Sequence, residues 1–328
     1  MLFRSGKEFD HLVANIHLVI EVSALQEIKL PVQFGFAVTG AVDAFGGGAS
    51  GWRMVAVICG VIGLAVNTIS CLCVKQLPEE SSAAVEDTQK PKDDKIGFVE
   101  SLKLLISNKY YILIVAIYIV YYFMSNLTTG SAIYFMKHVL GNGSLLGLFS
   151  MMKMFPVIIA LIFTPILVKK TGSMQKVNFW GYVISDILGI FLIIFAMQKN
   201  LPMMLLFMFL KGTFAGTMSG TLNALIAEIS GYTYRTKGVH IDGMMFSCSS
   251  LGVKVGGGIG TAAVGWLLHA AGYAGKAATQ TVAATNMIFS MYITIPVILG
   301  VVITILLGLM KVEKENKRID MERAEQAD

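Results

Sequence analysis

Residues 244–270 read MMFSCSSLGVKVGGGIGTAAVGWLLHA, an apolar stretch with a lysine, Lys254, inside a run of glycines. The stretch is about as long as a helix that crosses a lipid bilayer. Six more stretches of this kind lie between Val55 and Met310, and a soluble domain of this size does not need so many. A charged ammonium within one of them is costly unless it has a partner or a function. The sequence therefore predicts a polytopic membrane protein with a polar path inside.

The composition supports this class of protein. The chain has 328 residues, of which 55% are hydrophobic and 14% are charged, whereas soluble domains carry about 25% charged residues. The four cysteines lie in or beside apolar stretches without a histidine cluster, so we interpret them as small apolar residues. Paired carboxylates, an activated nucleophile, a phosphate loop and metal-ligand spacings are all missing from the sequence. We therefore expect neither an enzyme nor a bound cofactor or metal, and we expect no nucleic-acid partner.

Lysine and arginine residues are distributed unevenly among the connectors between the apolar stretches. The connectors 75–109, 169–176 and 228–243 and the tail 311–328 hold 16 of them, whereas the alternate connectors hold Arg53, Lys137, Lys199 and Lys276. Loops rich in these residues stay in the cytoplasm, so the long connector and the C-terminus are both predicted to be cytoplasmic. A long cytoplasmic linker before six spans is typical of the middle of a twelve-span transporter built from two six-helix halves.

The expected fold is an all-α, multi-pass transmembrane bundle with about seven to eight spans. About four helices of the first half would then be missing, so the chain is interpreted as N-terminally incomplete. The clear spans are 54–75, 110–135, 145–168, 177–197, 201–227, 244–270 and 285–310, and a weaker one lies at 31–46. The predicted domains are an unassigned segment 1–30, the last helices of the first half at 31–77, a cytoplasmic linker 78–108 with a short helix at 97–107, a six-helix half 109–311 and a charged cytoplasmic tail 312–328.

Lys254 is the first candidate for a functional residue. Ser250 lies one helical turn before it on the same face, and the surrounding glycines allow close approach of another helix or a ligand. The alternative is a lysine that extends along its helix to the membrane interface. Because Lys254 lies about ten residues into its span, we favour a role in a polar cavity.

Asp186 is the acid that lies deep in an apolar span, and a carboxylate there should be paired or protonated. It is predicted either to take part in proton or cation coupling or to pair with Lys153 or Lys211. Lys211 is assigned either to the cavity wall or to bonds with backbone carbonyls of a neighbouring helix.

The span 110–135 has a polar centre, in which Tyr122 and Asn126 lie four residues apart on one face. Hydroxyls, amides and aromatic rings are the groups that a sugar site needs. Hydrogen bonds between helices are the alternative interpretation. A similar polar stripe at 213–223 is interpreted as a surface for close helix packing.

Four motifs, in this order along the chain, resemble those of one transporter family. They are Gly46-Gly47-Gly48 to Gly51-Trp52-Arg53, Ile133-Tyr134-Phe135-Met136-Lys137-His138-Val139-Leu140-Gly141, Ala227-Glu228-Ile229-Ser230-Gly231-Tyr232 with Gly238-Val239-His240-Ile241-Asp242-Gly243, and the span from Phe246 to Leu268. The family is that of the glycoside–pentoside–hexuronide:cation symporters, a branch of the major facilitator superfamily that includes the melibiose permease. The likeness covers roughly residues 31–312.

This resemblance implies roles for particular residues. Lys254 falls where the family has a lysine in the sugar and cation cavity, and Ser250 falls on a nearby ligand-facing position. The loop after residue 227 implies a cytoplasmic gate formed by Glu228, Tyr232, His240 and Asp242, in which Glu228 and His240 depart from the family's usual aspartate and arginine.

The resulting functional hypothesis is a secondary active transporter in the plasma (inner) membrane. It would carry a sugar or glycoside together with Na⁺ or H⁺ by alternating access, with Lys254, Ser250, Asn126, Tyr122, Asp186 and Lys211 in the substrate and cation cavity. Two alternatives remain open: an inactive fragment or membrane scaffold, and a major facilitator carrier of an organic anion attracted by the intramembrane lysines.

Overall fold

The computed structural model describes residues 44–46, 48–73, 98–239, 241–275, 277 and 279–327. It divides the chain into two compact units, one of Lys29–Phe98 and the other of Met1–Ile28 with Val99–Asp328. The segment 1–30 and most of the weak span at 31–46 lie outside the described residues, as does the linker up to residue 97. The expectations placed there remain predictions.

The smaller unit contains a helix, α1, at Gly48–Cys73. Gly46 precedes it with a φ of 92°, a left-handed conformation that glycine adopts without steric strain. The first glycine of the Gly46-Gly47-Gly48 motif therefore occupies a backbone conformation that favours glycine. The apolar segment of α1 at Arg53–Val66 is shorter than the spans of the larger unit.

In the larger unit, six helical segments of the described chain are long and apolar enough to cross a membrane. This confirms the six spans expected after the linker and the all-α membrane fold. The segments are Lys109–Val139, Leu145–Thr171, Met174–Met197, Leu201–Lys237, Gly243–Ala270 and Val282–Arg323.

The α-helices that build these segments are interrupted by π-helical turns at Phe135–Val139, Gly252–Gly256 and Ser290–Thr294. The short helix expected at 97–107 is present as α2. In chain order the helices are α2 (Phe98–Ser107), α3 (Lys109–Tyr134), α4 (Leu145–Thr171), α5 (Met174–Met197), α6 (Leu201–Ala215), α7 (Thr217–Lys237), α8 (Asp242–Met245), α9 (Ser247–Leu251), α10 (Gly257–Ala270), α11 (Val282–Phe289), α12 (Ile295–Leu309) and α13 (Val312–Ala327).

Large apolar side chains on the outside of the bundle mark the surfaces that suit lipid. On α5 they recur every three or four residues, the period of one helix face: Trp180, Ile184, Ile187, Phe191 and Ile194 are all exposed. The opposite face of α5 is buried and includes Asn178, Tyr182, Ser185 and Asp186. The polar side chains of this helix are therefore directed into the protein.

The interior consists of two clusters of buried apolar residues, one towards each end of the bundle. The first joins Tyr118, Tyr182, Met218, Cys248 and Ile303, among others. The second joins Leu127, Leu192, Met204, Ala263 and Ile293, among others. The fully buried members of the two clusters are separated by segments that we call the polar level, made of residues 119–126, 183–191, 205–217, 249–262 and 294–302. Partly buried apolar residues of these segments, such as Val120 and Phe123, pack against one cluster or the other.

The charged C-terminal segment forms a helix, α13, that packs against the bundle. The chain leaves α12 through Met310, which has an extended ψ of 92°, and the side chains of Val312, Glu313 and Asn316 are then buried. The carboxylate of Glu313 accepts hydrogen bonds from the hydroxyl of Ser173 and from the backbone nitrogen of Met174, the latter at 2.8 Å. We call the end of the bundle where α13 packs the basic end.

The capping role of Glu313 leads to a stability prediction. Its carboxylate lies at the N-terminus of α5, where backbone N–H groups lack helical partners and the helix dipole favours negative charge. We expect Glu313→Ala to lower the free energy of unfolding by about 1–2 kcal/mol. Thermal unfolding of the purified protein in detergent measures the loss.

The matched control is Glu315→Ala on the same helix. Glu315 forms a pair of 2.8 Å with Arg318, three residues further along the helix, whose side chain is largely exposed. Such a pair contributes about 0.2–0.5 kcal/mol. Equal destabilisation by the two substitutions would contradict the assignment of Glu313 as the helix cap.

Candidate functional site

The polar level contains all six side chains that the sequence assigns to a cavity. Tyr122 and Asn126 of α3, Asp186 of α5, Lys211 of α6, and Ser250 and Lys254 of the 243–270 span lie between the two apolar clusters. Within this level they form two groups on different sets of helices. One group lies where α3 meets the span 243–270, and the other lies where α5, α6 and α12 meet.

The contact between α3 and the span 243–270 depends on glycines. A Cβ atom on Gly252 would collide with Tyr118, and one on Gly256 would collide with the carbonyl of Ile119. A Cβ on Gly260 would lie 2.6 Å from the carbonyl oxygen of Phe123. Because glycine has no side chain, the two backbones are in direct contact at these positions, as is common at small residues between membrane helices.

Lys254 lies two residues away from the glycines that face α3, and its side chain is exposed. It sits within the π-helical turn Gly252–Gly256, a type of turn that often occurs at functional sites in helices. The sequence gives no signal for this turn beyond the glycine run itself.

Two exposed stripes run side by side along the span 243–270, and Lys254 belongs to the polar one. Ser250, Lys254, Gly258 and Thr261 are exposed at helical spacing. The adjacent stripe is large and apolar and consists of Leu251, Val255, Ile259 and Trp266, and Phe246 and Val253 are exposed apolar residues outside both stripes. Because the apolar stripe is the one that suits lipid, the lysine, the hydroxyls and Gly258 form a surface of different chemistry.

Asn126 links α3 to this polar stripe. Its side-chain nitrogen donates to the backbone carbonyl of Tyr122 at 2.9 Å. A Cβ on Gly257 would lie 3.1 Å from the same nitrogen, so the amide rests on the bare backbone one turn after Lys254. The amide of Asn126 therefore packs against the same helical span that carries Lys254.

Three tyrosines of α3 are held together beside Asn126. The hydroxyl of Tyr118 donates to Asn223 at 2.7 Å, and the hydroxyl of Tyr121 bonds to Ser219 at 2.8 Å. The ring of Tyr122 lies 5.3 Å from that of Tyr121 and stacks with that of Tyr118 at 6.1 Å between centroids. Sequence reasoning assigned Ser219 and Asn223 to helix packing and missed that they orient the tyrosines.

The 213–223 stripe packs closely against a neighbouring helix, as expected, and it does so at a glycine. A Cβ on Gly216 would lie 2.8 Å from the Cβ of Ala160 on α4. Asn178 of α5 and Thr221 of α7 exchange hydrogen bonds of 2.7 and 2.9 Å. Thr221 therefore joins α7 to α5, whereas Ser219 and Asn223 on either side of it form hydrogen bonds with the tyrosine hydroxyls of α3.

The second group is centred on Asp186. Its Oδ2 atom accepts a hydrogen bond of 2.7 Å from the hydroxyl of Thr304 on α12. Lys211 lies nearby, because its Cε atom would be 3.3 Å from a Cβ on Gly189, one turn after Asp186. Lys153, the other lysine considered as its partner, instead donates to Thr129 of α3 at 2.8 Å. Of the two expected pairings, the structure supports the one with Lys211.

The proposed gate residues lie at the basic end. Asn316 of α13 donates to the carboxylate of Glu228 at 2.9 Å, and the ring of Tyr232 meets that of Tyr110 edge to face at 5.1 Å. His240 and the side chain of Asp242 lie outside the described residues. Arg235 and Asp320 form a two-bond ion pair of 2.7 and 3.0 Å at the same end, which sequence reasoning missed.

The chemistry of the first group suits a neutral polyhydroxyl ligand. It offers hydroxyl and amide groups, flat aromatic faces and one ammonium, which together can bond to hydroxyls and stack on C–H surfaces. Within the described residues, no cluster of three histidine, cysteine or acidic side chains is suited to hold a metal ion.

The comparisons with known proteins point to transport. Residues 30–314 match the family model described as MFS/sugar transport protein. The isoprimeverose transporter of Lactiplantibacillus pentosus is 27% identical over 277 residues, which cover 83% of this chain and 55% of that protein. YagG of Escherichia coli (strain K12), designated a candidate glycoside/cation symporter, is 24% identical over 235 residues, or 70% of this chain and 50% of that protein.

A third relative is an uncharacterised 29.9 kDa protein of Pseudescherichia vulneris, which is 26% identical over 174 residues. These residues cover 52% of this chain and 62% of that protein. The chain thus spans between half and about three-fifths of the length of the relatives that it matches.

Proposed function

The chain belongs to the MFS/sugar transport family of membrane proteins, and on that premise we propose that it carries a sugar or glycoside across the plasma (inner) membrane together with Na⁺ or H⁺. Lys254, Ser250, Asn126 and Tyr122 would contact the sugar, and the site would open to the two sides of the membrane in turn. Membership of this family places the chain among transporters rather than enzymes.

The separation of the two exposed stripes on the span 243–270 is the observation that best supports this proposal. If Lys254 merely extended into the lipid interface, the residues one turn before and after it would be expected to be large and apolar, as they are for Val255, which lies in line with Leu251 and Ile259. Lys254 lies instead in line with Ser250 and Gly258. A charged group that shares its face with a hydroxyl and a glycine is suited to a wet, ligand-facing surface.

The orientation of the chain is part of the proposal. The basic turn at Gly172 and the C-terminal helix touch one another, because Lys317 donates to the carbonyl of Gly172 at 2.9 Å. Arg235 also pairs with Asp320. Since the connectors richest in lysine and arginine stay in the cytoplasm, we assign the basic end and the C-terminus to the cytoplasmic side.

The organic-anion alternative depends on positive charge in the polar level, and the contacts of two lysines count against it. Lys211 lies beside Gly189, one turn after the acidic Asp186, and Lys153 is bonded to Thr129. Lys254 is then the charge on which an anion carrier would rely. A sugar carrier needs the tyrosines and Asn126 as well, and these groups are what surround the site.

Transport by the purified chain in liposomes tests the proposal. Uptake of labelled glycosides should exceed uptake of labelled organic acids, and an imposed gradient of Na⁺ or H⁺ should drive accumulation. Preference for organic acids would support the anion carrier instead. A folded, membrane-inserted protein that moves neither class of solute would favour the scaffold hypothesis.

A further inference from the structure

Asp186 occupies an unusual place for a carboxylate. It is residue 13 of the 24-residue helix α5, close to its midpoint, and its exposure is only 8%. An ionisable side chain at this depth is costly unless it is neutralised or functional. The sugar site proposed above lies on α3 and the span 243–270, so Asp186 belongs to a separate part of the polar level.

The surroundings satisfy one oxygen of this carboxylate and leave the other open. The Oδ2 atom accepts from Thr304 at 2.7 Å, whereas Oδ1 has no hydrogen-bond partner among the described residues. Oδ1 packs directly against Gly300, where a Cβ would collide with it. A glycine thus makes room for an oxygen atom that is buried without a donor.

Lys211 is fitted into the same region by a second glycine. A Cβ on Gly189 would lie 3.3 Å from the Cε atom of Lys211, so the lysine stem lies along bare backbone one turn beyond Asp186. Lys211 lies 10 residues after the start of α6 at Leu201. At 1.5 Å per residue this distance is about 15 Å, so Lys211 reaches the same depth as Asp186.

The other titratable groups on the elements packed against α5 are few at this depth. Lys211 lies beside Gly189, one turn after Asp186, and Tyr182 lies one turn before Asp186 on the same buried face of α5. Helix α12 carries no ionisable side chain. The remaining groups on these elements are Lys176 of α5, Lys153, Lys169 and Lys170 of α4, Tyr292 of the π-helical turn before α12, and Glu228, Tyr232, Tyr234, Arg235 and Lys237 in the second half of α7.

We propose that Asp186 is a proton-binding site, whose ionised state is held by Lys211 and Thr304 and whose Oδ1 atom receives the proton. This inference rests on the proposed function, because a proton site has a role in transport only if the chain is a transporter. Asp186 would then supply a titratable group in the same six-helix half, 109–311, that carries the proposed sugar site. A metal cation is the weaker candidate for the same site. It would be surrounded by about six oxygen ligands, whereas a proton needs one oxygen, and the Lys211 ammonium repels a cation.

The proton step balances without another reactant. A proton adds to Oδ1 and converts the carboxylate into a carboxylic acid, while Thr304 continues to donate to Oδ2. The attraction between Asp186 and Lys211 ends, because the acid is neutral. The ammonium of Lys211 is then left without its counter-charge in a low-dielectric layer, so protonation favours a conformation in which Lys211 reaches water. Protonation thereby becomes coupled to the packing of α5 against α6.

Infrared spectroscopy of the purified full chain tests this site without any sugar present. In a detergent without ester groups, acidification protonates the exposed carboxylates as well, so the test uses a difference spectrum. The wild-type spectrum minus that of Asp186→Asn should show the carbonyl band of one protonated carboxylic acid, that of Asp186. Aspartate labelled with ¹³C in the wild-type protein should shift the band. Thr304→Val should shift the band because a hydrogen bond is lost, whereas Thr285→Val on α11 should leave it unchanged. Lys211→Met should let the band appear at higher pH.

Two results would overturn the inference. One is the absence of the band at every pH at which circular dichroism shows a folded wild-type protein, which would make Asp186 a permanently ionised structural partner of Lys211. The other is removal of the band at fixed pH by Na⁺ but not by a large organic cation, which would assign the site to a metal cation. Because no sugar is involved, either failure leaves the proposed transport intact, and loss of uptake with the band retained would count against transport alone.

Discussion

Replacing Lys254 with alanine is expected to lower sugar uptake by a factor of about 10 to 100 while the protein remains in the membrane. Hydrogen bonds to charged groups contribute about 1.5–3 kcal/mol, and about 1.4 kcal/mol corresponds to a factor of ten in binding or rate. The side chain of Lys254 is exposed, so its removal leaves no cavity in the packed interior. The loss should therefore appear in transport and not in the quantity of membrane-inserted protein.

Val255→Ala is the matched control for this substitution. Val255 is the next residue on the same helix, is 38% exposed and belongs to the apolar stripe. Truncation there should leave uptake close to that of the unmodified protein. If Lys254→Ala retained full uptake, Lys254 would be excluded from the mechanism. If the two variants lost uptake equally, the distinction between the polar and apolar stripes would be wrong.

The architecture could be predicted from the sequence because lipid imposes simple requirements. A helix must cover the bilayer with about 20 apolar residues, so each span shows as a long apolar run, and the connectors carry the charge. The same reasoning found the depth of the candidate side chains, since a charge such as Lys254 or Asp186 stands out within an apolar run. The match of residues 30–314 to the sugar transport family confirms the resemblance that the motifs suggested.

The sequence could not show which polar side chains meet. The partner of Asp186 depends on which helix lies beside α5, and the hydropathy of a span does not show which other spans pack against it. The pairing of Tyr121 with Ser219 was missed for the same reason, because a small polar residue on a glycine-rich face fits helix packing equally well. Asp186 and Lys211 lie on α5 and α6, whereas Lys254 lies on the span 243–270, and their assignment to one cavity stays a prediction.

The ends of helices were also beyond sequence reasoning. The span expected at 201–227 continues as helix to Lys237, because hydropathy stops at the membrane surface while backbone hydrogen bonding does not. For the charged tail the sequence analysis predicted a location and no helix, and α13 runs over Val312–Ala327. Its order depends on tertiary partners such as the N-terminus of α5, which only the folded chain provides.

A second large effect is expected from adding one methyl group to Gly260. A Cβ at this position would lie 2.6 Å from the carbonyl oxygen and 3.0 Å from the Cα of Phe123. Both are backbone atoms of α3, so no side chain can move aside, and the helices must separate. Overpacking of this kind costs about 1–3 kcal/mol. Gly260→Ala should therefore lower the thermal stability of the purified protein and, through the displaced Asn126 and Tyr122, its sugar uptake.

Two other glycines on α10 separate packing from function. A Cβ on Gly265 meets nothing within 4 Å, so Gly265→Ala should keep full uptake and gain stability from alanine's helix propensity, by up to about 1 kcal/mol. Gly258 is equally open but lies in the polar stripe one turn after Lys254. Gly258→Leu should thus keep its thermal stability yet lose uptake, because the new side chain fills the surface assigned to the sugar. Wild-type stability of Gly260→Ala would disprove the described contact between α3 and α10, and full uptake by Gly258→Leu would move the sugar site elsewhere.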